Sequence, residues 1–122
     1  MSAVTTSSLS DTLPLTIPKL DSEGENWVIF YVRFMDTIEA KGFWNHFDGS
    51  SPAPVLSATA TAAEIEAKNQ WDKDECLAKT LLTQKLPDST VLETHSLKTV
   101  KERWEVVVKE YTIKGAFAQM EM

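Results

Sequence analysis

The chain has 122 residues, 43% of them hydrophobic, and only four glycines, which suits one domain with its own core. Its net charge of −6 disfavours tight binding to nucleic acid or to an anionic membrane surface, because both depend on clustered basic side chains. The single cysteine, Cys76, excludes an internal disulfide, and no apolar run approaches the ~18 residues of a membrane span. Since no basic region precedes an apolar run at the N-terminus, we expect a cytoplasmic or nuclear protein.

The N-terminal segment, residues 1–16, contains eight Ser or Thr and few apolar side chains. Such a segment buries too little surface to offset the entropy of ordering, so we predict a disordered tail there. Asn26 is a good N-cap, and the apolar residues behind it predict a helix to about Lys41. The apolar stripe of this helix comprises Trp27, Phe30, Tyr31, Phe34 and Ile38, widened by Val28 and Met35. Gly42 suits the left-handed residue that ends a helix.

The middle of the chain predicts a short aromatic segment, a loop and a long helix. The aromatic segment covers residues 43–47, and a turn signal at 48–52 leads into a mobile loop that continues to Ala60. Thr61 and Glu64 form a capping-box pattern that begins the long helix, which we expect to end near Lys85. Its inner stripe would comprise Ala67, Trp71, Ala78, Leu82 and Leu86, with Asp74 interrupting it. After Pro87, Asp88 or Ser89 can cap a short helix that ends near His95.

The last predicted helix begins with a second capping-box pattern, Thr99 with Glu102. Its apolar positions are Val100, Trp104, Val107, Val108 and Tyr111, which form one helix face. We therefore predict an all-α fold, a small helical bundle of about five helices, with Trp104 in its centre. The helical domain would span residues 17–113, and residues 114–122 would start a truncated C-terminal helix.

The sequence offers no catalytic, cofactor-binding or metal site, so we do not expect an enzyme. His46 and His95 are far apart and lack a second ligand at metal-binding spacing, and Cys76 has no neighbouring histidine. Asp72, Asp74 and Glu75 suggest paired carboxylates, but lysines surround them, which favours a solvated charged face. No glycine-rich phosphate loop is present.

The order of aromatic and glycine landmarks resembles the N-terminal Gag region of copia-type LTR retrotransposons. That family shows first a Leu before Gly-x-Asn and an aromatic, and then a Gly before an apolar residue and Trp. The third motif is a Trp that is followed by an acidic residue, an Ala and spaced leucines. The last motif is Thr-Ala-x-Glu-x-Trp with a later Tyr. The matching residues here are Leu20, Gly24, Asn26, Trp27, Phe30, Gly42, Phe43, Trp44, Trp71, Asp74, Ala78, Leu82, Leu86, Thr99, Val100, Glu102, Trp104 and Tyr111. The resemblance covers about residues 17–111.

The chain departs from the family pattern in three places and lacks one of its modules. Ser22 and Glu23 lengthen the Leu-to-Gly spacing, Phe30 replaces the common Trp, and Val100 replaces Ala. Family members often continue into a second helical domain and a Cys-Cys-His-Cys zinc knuckle that binds RNA, which one cysteine cannot build. The resemblance therefore implies a capsid-like N-terminal piece that contributes to virus-like particle assembly in an intact element, without tight RNA binding of its own.

Two functional hypotheses follow from these observations. The first is a Gag-derived structural protein, and the second is a co-opted or degenerate host module that binds an unknown protein partner through an apolar groove. Under the first, we expect a monomer in dilute solution that self-associates weakly when crowded or lengthened at its C-terminus. The candidate contact residues are the apolar groups that the bundle accounts for least: Ile65, Leu77, Phe117 and Met120.

Overall fold

The computed structural model describes residues 12–120, with the side chains of 119 and 120 outside that description. Five helices form the secondary structure of this part, which contains no strand, so the all-α prediction is confirmed. They are α1 (Trp27–Lys41), α2 (Trp44–Phe47), α3 (Ala62–Thr83), α4 (Asp88–Thr94) and α5 (Val100–Met120). None of the described helices is both long and apolar enough to cross a bilayer.

Helix α5 is the centre of the bundle and contacts each of the other four helices. Trp104, on its inner face, is buried and packs against aromatic rings from both α1 and α2. The rings within 6.1 Å of it, centroid to centroid, are those of Trp27, Tyr31, Phe34, Trp44 and Phe47. The predicted central position of Trp104 is therefore confirmed, and the aromatic rings around it form a large part of the apolar core.

Both capping boxes form as predicted. The Thr61 side chain accepts from the backbone N–H of Glu64, and the Glu64 carboxylate accepts from the backbone N–H of Thr61. At the start of α5, Thr99 and Glu102 exchange the same pair of hydrogen bonds, each 3.2 Å long. These contacts satisfy backbone donors that have no partner within the helix.

One predicted cap is confirmed in position only, and another is wrong. Asn26 is the N-cap residue of α1, as predicted, but its side chain makes no capping hydrogen bond. Its Oδ1 instead accepts from Asp21 N and its Nδ2 donates to the Lys19 carbonyl, so it fastens the preceding segment. At α4, Pro87 occupies the cap position, so neither Asp88 nor Ser89 caps that helix.

The predicted domain boundaries also need correction. Residues 1–11 of the predicted tail lie outside the described residues, but Leu13 is buried in the core and its N–H donates to Gln84 Oε1. At the other end, α5 continues through Gly115 to Met120, so residues 114–120 are no separate helix. Gly115 permits α5 to pack closely against α1 at this point, because a Cβ there would lie 3.3 Å from the Trp27 ring.

Two helix stripes also differ from the sequence prediction. Val28 lies on the outer face of α1, away from the buried Trp27, Phe30, Phe34 and Ile38, and does not widen the inner stripe. In α3, Ala67 is exposed, because the first turns of this helix extend beyond the core. Ala78 and Leu82 of the same helix are buried as expected.

Candidate functional site

The most unusual chemistry in the described residues is a buried hydrogen bond between a histidine and a carboxylate. His46 Nδ1 lies 2.9 Å from Glu75 Oε1, and each residue is only 6% exposed. The other carboxylate oxygen, Oε2, accepts from the backbone N–H of Val100 at 2.7 Å. An ionised carboxylate only accepts, so the contact suits a histidine tautomer with its proton on Nδ1. Both carboxylate oxygens of Glu75 are therefore hydrogen-bonded.

Three helices bring these groups together. His46 lies in α2, Glu75 lies in the middle of α3, and Val100 is the first residue of α5. A carboxylate at the start of a helix is favoured because the unpaired N–H groups carry partial positive charge. The Glu75 side chain therefore joins α2, α3 and the beginning of α5 at one point.

A small pocket of about 210 Å³ borders this cluster. Its lining includes His46 and Glu75 together with Trp71 of α3 and Lys101 of α5. The Trp71 ring lies 4.9 Å from the His46 ring, and its Nε1 donates to the Ser51 carbonyl at 2.8 Å. Trp71 thereby holds the loop after α2 over the histidine.

Two charged groups near the pocket have shifted pKa values. The backbone N–H of Ser50 donates to Asp48 Oδ1 at 2.8 Å, which lowers the pKa of the Asp48 carboxyl. Lys101 donates to Glu105 on the next turn of α5, and this hydrogen bond raises the pKa of the Lys101 amine. Both contacts favour the charged form of the group concerned.

The hydrogen-bonded pair of His46 and Glu75 corresponds to one component of a catalytic or metal site. A histidine that donates through one ring nitrogen to a carboxylate is held in a fixed orientation, as in metal centres and catalytic triads. Such sites also need a second ligand or a nucleophile. No group of three or more metal-ligating side chains occurs in residues 12–120, and the Thr99 hydroxyl at the pocket wall donates to Glu102. The hydrogen bonds of the cluster connect α2, α3 and the start of α5.

Sequence reasoning misassigned Glu75, which it grouped with Asp72 and Asp74 on a solvated face. The assignment holds for the two aspartates: Asp72 pairs with Lys68 across one turn, and Asp74 accepts from Gln70. Glu75, in contrast, lies four residues after Trp71 and three before Ala78, which is the helical spacing of the inner stripe. That spacing was the signal that could have identified it as buried.

The histidines and the cysteine differ in their surroundings. His46 is buried and hydrogen-bonded, whereas His95 is exposed and its carbonyl accepts from Arg103. Cys76 is exposed on α3. The structure therefore does not bring the three residues into one site.

Most of the landmark residues of the family resemblance lie in the core or fasten its edges. Tyr111 donates or accepts in a 2.6 Å hydrogen bond with Thr90, and both side chains are buried. Gly42 ends α1 in the left-handed conformation. The landmarks that are buried as whole residues are Leu20, Gly24, Trp27, Phe30, Phe43, Ala78, Leu82, Leu86, Val100, Trp104 and Tyr111.

The four candidate self-association residues have different surroundings. Ile65 and Phe117 are exposed, on α3 and α5 respectively. Leu77 is partly buried and packs against the core. The side chain of Met120 lies outside the described residues.

Comparison of this chain with models of known protein families, with curated proteins and with solved structures found no significant match.

Proposed function

We propose that this chain is a structural, non-enzymatic Gag-like domain of the copia type, which contributes to a particle shell through weak contacts between copies. The core of the described residues consists mainly of apolar and aromatic side chains, as expected for a structural domain, and we propose no cofactor for it. Its net charge of −6 is consistent with the absence of tight RNA binding by this part of the protein.

The observation that carries the proposal is the crossing of α1 and α5, where several landmarks of the resemblance meet. The Trp27 ring lies 6.1 Å from that of Trp104 and 5.8 Å from that of Tyr111. Gly24, with φ +78°, leads into this crossing, and a Cβ there would lie 2.8 Å from the Lys114 Cβ. The motif residues thus have packing and turn roles, as expected for a pattern that specifies a fold rather than an active site.

The apolar groups that remain on the surface support weak contacts between copies. Phe117 is 61% exposed near the end of α5, and Ile65 is exposed near the start of α3. Single exposed side chains of this kind supply small interfaces, and small interfaces bind weakly. A shell built from reversible contacts needs such interfaces.

Sedimentation velocity over a wide concentration range tests the proposal. We expect a monomer at micromolar concentration and reversible association at much higher concentration. Phe117→Ser should weaken that association without loss of helix content, whereas Leu92→Ser, at a residue 78% exposed on α4, serves as the matched control. A tight dimer at nanomolar concentration would contradict the proposal and favour a dedicated dimeric host module.

A second measurement addresses RNA. Filter binding at moderate salt should give no submicromolar affinity. Tight binding with a steep salt dependence would mean that a basic surface forms despite the overall charge.

A further inference from the structure

The outer face of α1 carries an apolar strip that the bundle leaves uncovered. The strip consists of Val28, Ile29 and Val32, which are 58%, 44% and 44% exposed. Their spacing of one and four residues places them on the same side of the helix, opposite the buried Trp27 and Phe30. Three exposed aliphatic residues at this spacing exceed the scattered single residues that are normal on a surface.

The strip lies in a groove, which makes it better suited to hold a ligand than a flat patch. The groove has a volume of about 330 Å³ and is lined by the three aliphatic residues, the turn before α1 and Gly115 of α5. Gly115 is itself buried against the Trp27 ring, so the open part of the groove is bordered by Val28, Ile29 and Val32. An aliphatic side chain from a partner would contact these three residues.

Carboxylates flank both ends of the strip. Glu23 and Glu25 are exposed before α1, and Asp36 and Glu39 are exposed farther along it. Asp36 and Glu39 lie four and seven residues after Val32, so they continue the same face of the helix.

The four carboxylates outnumber the cations near the strip. Arg33 borders the strip and donates through Nη1 to the Thr16 carbonyl, and Lys114 forms an ion pair with Glu110 and donates to the Ser22 carbonyl. Lys19 lies on the segment that Asn26 fastens, ahead of the helix. A second copy of the chain would bring the same carboxylates to the strip, and like charges would oppose it.

We propose that this groove binds a basic amphipathic helix from a partner protein, independently of the shell function proposed above. The partner segment would place aliphatic side chains at positions i and i+4 on the strip and Lys or Arg at each end against the carboxylates. The twelve residues from Val28 to Glu39 span about 17 Å of helix, so a segment of about 12–14 residues suffices.

Fluorescence anisotropy with a labelled synthetic peptide tests this inference. The probe is a 14-residue helix with a stripe of leucines and lysines at both ends, and a scrambled peptide of the same composition is its control. We expect saturable binding at micromolar concentration for the first peptide and binding at least roughly tenfold weaker for the second, because only an intact stripe fits the groove.

Two double variants separate the apolar and the charged contributions. Val28→Ser with Val32→Ser should weaken binding at least roughly fivefold, and Asp36→Asn with Glu39→Gln should weaken it and flatten its salt dependence. Val55→Ser, at a residue 93% exposed in the loop before α3, should leave affinity unchanged. Because all these positions are exposed, circular dichroism should report the same fold for every variant.

Three outcomes would overturn the inference. They are no saturable binding to the unmodified chain, equal binding of the scrambled peptide, and equal affinity of both double variants and the unmodified chain. Sedimentation velocity of the Val28→Ser, Val32→Ser variant adds a fourth: loss of self-association there would assign the groove to a second copy instead.

Discussion

Glu75 and His46 form a buried hydrogen bond of 2.9 Å between α3 and α2 in a bundle whose core is otherwise mainly apolar and aromatic. The pair matters because removing either partner would leave a polar group in the interior without its hydrogen bond. Glu75 also caps the beginning of α5 through Val100 N, so its loss would affect three helices together.

Replacing Glu75 by alanine should therefore destabilise the fold, by about 1–3 kcal/mol for each of the two buried donors that lose their acceptor. Glu75→Gln should cost less, because its amide oxygen can still accept one of the two hydrogen bonds. Urea titration followed by tryptophan fluorescence measures the free energy of unfolding. Glu66→Ala, at an exposed residue of the same helix, is the control and should change it little. Equal effects of Glu75→Ala and Glu66→Ala would mean that the buried pair is not formed.

Trp104→Ala should be the most damaging single truncation of an aromatic residue. Its ring packs against five others, and replacing a buried aromatic by alanine leaves a cavity that costs about 3–5 kcal/mol. A loss of this size could prevent a domain of ordinary stability from folding. If urea titration shows that the free energy of unfolding falls by less than about 1 kcal/mol, Trp104 is not a core residue.

Gly24→Ala and Gly42→Ala separate backbone strain from crowding. Both glycines have positive φ, +78° and +84°, so alanine at either position should cost about 1–2 kcal/mol. A Cβ at Gly42 would meet no atom within 4 Å, whereas one at Gly24 would lie 2.8 Å from Lys114 Cβ and 3.0 Å from Gly115 N. The Gly24 variant should therefore lose about 1–3 kcal/mol more than the Gly42 variant. Equal losses in thermal or urea unfolding would mean that α5 can move away from the turn.

Glu93→Gln tests a carboxyl pair between α4 and α5. The side-chain hydrogen bond to Glu110 raises the pKa of Glu93, with burial and repulsion in the same direction. Burial also opposes ionisation of Glu110, but hydrogen bonds from Lys114 and Glu93 outweigh it and lower the pKa of Glu110. The folded state thus holds the Glu93 proton more tightly than the unfolded chain does, so the Glu93 contribution to stability falls as pH rises through its raised pKa.

An amide at position 93 keeps a donor for Glu110 without the second negative charge. We expect Glu93→Gln to stabilise the protein at pH 7 by up to about 0.5 kcal/mol, the scale of exposed charge pairs. The gain should disappear near pH 3.5, where Glu93 in the unmodified chain is protonated. Urea titrations at the two pH values measure the difference, and a gain of the same size at both would contradict the shifted pKa.

The sequence predicts the helices well because the local signals are strong. The two capping boxes and the stripe of α1 follow from residues close together in the chain. Two of the corrections involve distant contacts: Leu13 N donates to Gln84 Oε1, and Gly115 of α5 packs against Trp27. Asn26 is used for contacts with Asp21 and Lys19, five and seven residues away in the chain. Tertiary contacts of this kind override local preference.

The candidate site was less predictable than the helices. His46 and Glu75 are separated by 29 positions, and neither belongs to a motif. The charged neighbours of Glu75 in the sequence suggest an exposed position, whereas its helical spacing from Trp71 and Ala78 indicates a buried one. The partner of a buried carboxylate becomes visible only once α2 and α5 are positioned against α3.

Electron microscopy of the purified chain at high concentration, with and without a crowding agent, tests the structural role most directly. The account predicts regular sheets, tubes or particles that form reversibly and disappear on dilution, and fewer of them for Phe117→Ser than for Leu92→Ser. A chain that stays monomeric under every condition, or that forms only irregular aggregates unaffected by Phe117→Ser, would contradict it.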